Sequence, residues 1–371
     1  MNRRITEADI DDLAEGSAFL GTGGGGDPYV GALLCKSTIK RHGPVEVMSL
    51  ADLPDDAEVL CVAAFGAPTV LIEKLISVED VDVAARRLER LLGFTANVVI
   101  AAEIGGVNST LPVAYAAMRR LPVLDADGIG RAFPNLQMTT FNIAGVPACP
   151  MVLANEHGEC VILETADTLK AESLARPLVA AMGASAMIAG YRMNGATAKR
   201  AVVDGSLSAA MAIGAAVNAV QSATPAVDRL LAILRATPLY GAAFRLFEGK
   251  VVDVERRTTG GFVFGHCEVA ALKGSDRVRV DFQNENLVVK RGATVLAIVP
   301  DLITMVDTES GRAIPTESLR YGQRVSVIGC RAPAALRTEA ALKIVSPAQF
   351  GLSEPFTPIE IINSRLPDNT V

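Results

Sequence analysis

A chain of 371 residues, half of them hydrophobic, holds enough apolar material for two ordinary domains with a core each, which excludes a disordered polymer. Its 35 basic and 41 acidic residues are interspersed and leave a net charge of −6, so the basic stripe that a phosphate backbone requires is missing. With no tryptophan and only 5% aromatic residues, ring-stacking platforms for sugars or single-stranded nucleic acid are disfavoured too.

In chain order, the first residues set acidic groups behind Arg3 and Arg4 where a secretory signal would have an apolar run, which predicts a cytoplasmic protein. Apolar Ile10, Leu13, Phe19 and Leu20, behind the looser capping pair Thr6 and Asp9, predict a helix over Ile5 to Leu20. The loop Gly21-Thr22-Gly23-Gly24-Gly25-Gly26 then feeds a second helix, with Asp27 as N-cap and Pro28 at its first position. Short β-branched runs at Val45 to Ser49, Glu58 to Phe65 and Ala96 to Ala102 alternate with helical stretches at Val70 to Leu75 and Val83 to Leu92. That alternation means β-α-β units and a largely parallel sheet. Ser109 to Arg120 reads as helix, Pro122 to Gly130 as a strand ending in acidic residues and glycines, and Thr139 to Ala144 and Met151 to Leu163 as further strand.

After Glu164 the character changes. Helices are expected at Ala166 to Met182, Leu207 to Val220 and Ala226 to Leu234; Leu178 to Gly190 and Leu207 to Val220, too short to span a membrane, read as buried helix. Six short strands follow between Phe244 and Gly329, as a sandwich or barrel-like body. The expectation is an α/β N-terminal domain over residues 1–165 with a largely parallel sheet, and a β-rich α+β C-terminal domain over 166–371.

Five constellations can carry chemistry. Thr22 to Asp27 can present backbone amides beside a helix N-terminus, suiting an anion or developing oxyanion, or can simply be a flexible turn; no Gly-Lys-Ser/Thr follows, so it is not a P-loop. Glu103, Gly105, Gly106 and Asn108 follow a strand, where a carboxylate and an amide reach a pocket at the sheet's carboxyl edge, unless Asn108 is only a helix cap. Asp125 and Asp127, two apart on a strand, share a face and can activate water or hold a divalent metal, with Arg131 nearby; the alternative is an Asx-turn at Asp127 with Arg131 paired to an aspartate. His266 is either a hydrogen-bonded core histidine or a proton-transfer group. Asn284 and Glu285 form either a solvated hairpin or a grip on a polar ring. The six cysteines are dispersed without a C-x-x-C pair, as reduced thiols are.

Taken together and in this order, LGTGGGGDP, AAEIGGVN, LDADGIGRAFPNLQM, GFVFGHCE, FQNENLV and PDLITMVD resemble the family named after S-methyl thiohydantoin desulfurase. The resemblance runs from about Gly21 to Asp307 and implies N- and C-terminal domains. Members often accompany hydantoinase or oxoprolinase genes, which implies a hydrolase of small five-membered cyclic ureides, imides or thiohydantoins. On that reading Asp125 or Asp127 activates water, Glu103 or His266 moves a proton, and the glycine amides clamp an anion. A non-catalytic partner subunit of a hydantoinase-like enzyme, a homo-oligomer, and a nucleotide-binding enzyme using the glycine loop are the other expectations.

Overall fold

The computed structural model describes residues 3–364 apart from 27, 67–69, 71–73, 75, 220 and 221. Nine strands form the first sheet: β1 (Arg4–Ile5), β2 (Val45–Met48), β3 (Glu58–Gly66), β4 (Val98–Ala101), β5 (Val123–Asp127), β6 (Met151–Ala154), β7 (Cys160–Leu163), β8 (Ser185–Asn194) and β9 (Val203–Asp204). Their order is β1-β2-β5-β4-β3-β8-β6-β7, with β9 on β5. The central β2, β5, β4 and β3 run parallel. These strands are apolar on both faces, as a parallel sheet covered on each side must be. Along β3, Leu60, Val62 and Ala64 enter one core while Val59, Cys61, Ala63 and Phe65 enter the other.

Helices α1 (Ile10–Leu20), α2 (Pro28–His42), α3 (Val78–Leu92) and α4 (Val107–Arg119) come from the N-terminal half. The short α5 (Thr140–Ile143) lies where a strand was expected; Thr139 caps it, its hydroxyl accepting from the Asn142 amide at 3.1 Å. Helices α6 (Thr168–Ala181), α7 (Gly195–Ala201), α8 (Ser206–Asn218) and α9 (Ala226–Ala236) follow. The helical expectation at Val70 to Leu75 falls mostly outside the described residues, as does Asp27.

One expectation fails for a tertiary reason. Leu178 to Gly190 is not one buried helix: α6 ends at Ala181, and the alanine-rich run from Ser185 onward is β8, which pairs antiparallel with β3 and β6 in the middle of the first sheet. Low β-propensity is overridden by two strand neighbours and complete burial.

The second sheet is wholly antiparallel: β10 (Ala243–Thr259), β11 (Phe262–Ala270), β12 (Arg277–Gln283), β13 (Glu285–Arg291), β14 (Thr294–Ile298), β15 (Leu302–Asp307) and β16 (Arg324–Cys330), in the order β14-β13-β12-β11-β10-β16-β15. The molecule thus joins an α/β part whose sheet has a parallel centre to a β-rich antiparallel part. Among the described residues no helix is long and apolar enough to cross a membrane.

Helix α1 seats on α8 through glycines. A Cβ on Gly16 would stand 1.7 Å from the Ala210 carbonyl oxygen, and one on Gly214 1.8 Å from that of Asp12. Gly16→Ala must therefore push two backbones apart, and urea denaturation should show a loss of about 1–3 kcal/mol, as overpacked cores do.

Candidate active site

The carboxyl ends of β3, β4 and β5 open into a pocket, the position where open α/β sheets bind ligands. Its wall includes the end of β3 (Ala63 to Gly66), Glu103 after β4, Asn108 of α4, Ile129 after β5, the segment Phe133 to Leu136, Arg176 of α6 and Tyr191 of β8. From the second sheet, Asn284 and Glu285 close it, and Gly25 reaches in from the glycine loop. The cavity encloses about 100 Å³. That is small beside the roughly 300–1,000 Å³ of sites for drug-sized ligands, so it suits a small molecule.

The glycine loop works mainly as a spacer. Thr22 sits at φ +53°, and its carbonyl accepts from the Asn286 amide at 2.8 Å; the carbonyls of Gly23 and Gly25 accept from Thr316 at 2.8 Å and Val107 at 3.0 Å. A Cβ on Gly24 would lie 2.2 Å from Glu285 Oε1, and one on Gly106 1.9 Å from the Gly25 oxygen. A Cβ on Gly105 would stand 2.7 Å from Ala132 Cβ and 3.0 Å from Gly21 Cα. The amides of Gly24 and Gly106 already donate to Gly21 and Ser17, at 2.9 and 3.1 Å. They are therefore not available as the oxyanion donors the sequence reading assigned to them. Thr22, Gly23, Gly24, Gly26, Gly105 and Gly106 stand behind the wall, and Gly25 is the part of the loop that lines it.

Two carboxylates face the cavity. Glu103 is half-buried, its Oε1 accepting from Asn108 Nδ2 at 2.8 Å and its Oε2 from the Phe133 amide at 3.2 Å. Asn108 is itself fixed to β3, accepting from the Ala64 amide at 2.8 Å. Burial pushes Glu103 up to about 7, against the lowering by those hydrogen bonds. Glu285 is 3% exposed, and its Oε2 has no hydrogen-bond partner among the described residues. Burial, then the neighbouring Glu103 charge, pushes Glu285 up to about 8. It follows Asn284, the buried hairpin tip at φ +56°, whose Oδ1 accepts from the Val263 amide at 2.8 Å. The hairpin is thus part of the site rather than a solvated turn.

Arg131 lies behind this pair, fully buried. Among the described residues it pairs with no aspartate side chain. Its Nε donates to the Ala132 carbonyl at 3.0 Å, one terminal nitrogen to the carbonyls of Pro300 and Asp301 at 2.8 and 3.1 Å, and the other to Thr22 Oγ1 at 2.9 Å. The guanidinium lies 4.3 Å from the Phe133 ring centroid. Burial lowers it to about 10, and its charge in turn lowers both glutamates.

The aspartate pair does not converge on the pocket. Asp127 is fully buried, and its Oδ2 accepts from the amides of Ile104, Ile129 and Gly130 at 2.8, 3.0 and 2.7 Å, the turn-forming role weighed as the alternative. Burial still pushes it up to about 6. Asp125 instead holds the first turn of α8, accepting from the Ser208 amide at 2.8 Å and hydroxyl at 2.5 Å. The two share a face of β5, opposite Leu124 and Ala126, but that face looks onto the first turn of α8, where Asp125 binds Ser208 and Asp127 lies near Ser206, rather than into the pocket. Among the described residues no three His, Cys, Asp or Glu side chains gather as a metal site. His266 stands on the second sheet between Asp253 and Glu255, at 3.3 and 3.7 Å, away from the cavity.

Sequence reasoning missed Arg176, Phe65 and Tyr191. Arg176 donates to Glu172 and to the Pro134 carbonyl and lies between the rings of Phe65 and Phe262, 4.4 and 4.6 Å from their centroids. Tyr191, at φ +45°, donates its hydroxyl to the Leu136 carbonyl. Nothing in their local sequence separates these residues from ordinary helix and strand positions.

Fold and site define a two-part α/β protein with a carboxylate-lined pocket where its halves meet. Residues 8–165 match the S-Me-THD-like N-terminal domain and residues 166–359 the S-Me-THD-like C-terminal domain, so the chain belongs to the S-Me-THD-like family. It is also similar to the crystal structure of a protein from Chromobacterium violaceum, with 27% identity and a TM-score of 0.81 over 96% of this chain and all of that one. No protein of curated function matches it.

The raised glutamates make stability pH-dependent. Because the folded state holds their protons more tightly than the unfolded chain, stability falls as pH rises from about 5 to 9 and is least impaired below the unfolded pKa. Urea denaturation at pH 5 and pH 9 should show this loss shrinking in Glu285→Gln; an unchanged difference would mean that Glu285 is not held protonated.

Proposed function

We propose that the protein is a hydrolase of small five-membered cyclic ureides, such as an S-methyl thiohydantoin or a hydantoin, with Glu103 and Glu285 as its acid–base pair. The observation that carries this is the two carboxylates that line one small cavity from opposite sheets, both held well above the usual carboxylate range by burial, with Glu285 held further up by the Glu103 charge. Environments that set two titratable groups apart mark the base and the acid. Family membership and the cavity's size support the substrate class. The assignment moves water activation from Asp125 or Asp127, whose carboxylates serve backbone and helix ends, to Glu103.

For an S-methyl thiohydantoin, Glu103 takes a proton from water as the oxygen adds to the ring carbon bearing sulfur, and Glu285 protonates the ring nitrogen whose double bond opens. On collapse the carbon–sulfur bond breaks, methanethiol leaves with the proton from Glu103, and the hydroxyl proton returns to Glu285 as the ring carbonyl forms. Asn108 and the Phe133 amide aim the base, and Arg131 stabilises the charge passing between the carboxylates. The pair needs no metal in this scheme, so turnover should survive chelation.

Purified chain assayed against hydantoins, thiohydantoins and their S-methyl derivatives should show turnover with a bell-shaped pH dependence of kcat/KM. It rises as Glu103 ionises near 7 and falls as Glu285 ionises near 8. Glu103→Gln should lose about 10²–10⁴-fold in kcat/KM, in the range of a lost general base, while circular dichroism shows the native fold retained. No turnover of any ring, or full activity in Glu103→Gln, would end this reading; activity gained only with a hydantoinase-like protein present would favour a partner-subunit role.

A further inference from the structure

Outside the cavity, Leu169, Ser173, Gln137 and Phe262 line an open groove that shares Asn135 and Arg176 with the inner wall. Between the two compartments stands one stack: the Phe65 ring, the Arg176 guanidinium and the Phe262 ring. Arg176 is fixed by Glu172 and the Pro134 carbonyl, and Phe65 is buried at the end of a central strand. Phe262 differs from both. It is half-buried, it follows directly on Gly260 and Gly261 at φ +60° and +84°, and a Cβ on either glycine would meet nothing within 4 Å. Residues 255–261 of this hairpin are exposed. Two fixed members and one carried on an exposed glycine tip make an asymmetric gate.

We propose that Phe262 is a specificity-determining residue: it sets the size of the ring substituent that passes from the outer groove into the cavity. This rests on the reading of the cavity as a cyclic-ureide site. The inner space holds little beyond the ring itself, so whatever the ring carries must lie across the stack, and Phe262, the first residue of β11 beside the exposed glycine tip, is the member whose half-exposed ring can swing aside toward solvent. A single cation–π contact at a partly exposed position closes the gate without locking it. Phe262→Ala widens the passage. Phe262→Trp narrows it.

The test has one arm that needs no turnover. In a Cys160→Ser background, which removes the exposed native thiol, Glu103→Cys places a thiol inside the cavity, and its modification by methyl and benzyl methanethiosulfonate is followed by mass spectrometry. The expected result is slow benzyl labelling relative to methyl, a ratio that rises at least tenfold with Phe262→Ala and falls with Phe262→Trp, a span typical of discrimination by pocket size. Glu285→Cys repeats the measurement should the first variant fold poorly. In the second arm, kcat/KM for benzyl-substituted against unsubstituted rings should move in the same directions. A benzyl-to-methyl ratio indifferent to residue 262, or a cavity thiol that neither reagent reaches, overturns the gate. Failure of all ring compounds to turn over while the labelling ratios shift as stated would instead remove the hydrolase reading and leave the gate standing.

Discussion

A guanidinium sealed from water is tolerated only where its donors find acceptors, and Arg131 meets that condition with groups from both halves of the chain. One side holds Thr22, which fixes the start of the glycine loop; the other holds the turn at Pro300 and Asp301. Asp301 is buried in its turn, its carboxylate accepting from Arg337 and from the amides of Ala332 and Ile359, at 2.9 and 2.8 Å for the amides. The C-terminal segment is thereby tied to the same centre. Even lowered to about 10, Arg131 stays protonated at neutral pH and supplies a fixed positive charge beside Glu103 and Glu285.

That charge explains why the two glutamates can share so small a space. Burial drives both toward the neutral form, helped at Glu103 by the Asp127 charge and at Glu285 by the Glu103 charge, while Arg131 draws both back. The thiols take no such part: Cys61 and Cys330 lie close by, but burial pushes both well above the usual thiol range, so neither is a ready nucleophile.

Much of this was legible in sequence where local pattern decides the outcome. The β-α alternation gave away the parallel centre, the carboxylate after β4 marked a ligand edge, and Asn284 with Glu285 proved to be a buried tip. Reading failed where a distant partner decides. Ser185 to Asn194 is a strand because β3 and β6 flank it, and Asp127 is taken up by its own turn's amides together with that of Ile104, which lies 23 positions away in the chain. Arg176 and Phe262 lie 86 positions apart in the chain and meet only through the tertiary fold. At the glycine loop the lack of side chains lets Glu285 and the Gly105–Gly106 backbone approach closely, a packing role that the sequence pattern alone does not separate from ligand binding.

That last point ties packing to chemistry. Glu103 follows a strand of the first sheet and Glu285 opens a strand of the second, so the two carboxylates share a cavity only when the halves are docked, and the glycine loop is a layer between them. At Gly24 there is no room for a methyl group beside Glu285 Oε1, and at Gly25 and Gly106 the two backbones touch. A side chain at any of these positions would change the spacing between Glu103 and Glu285. The polyglycine run thereby sets how closely the two sheets approach at the pocket while contributing only Gly25 to its wall.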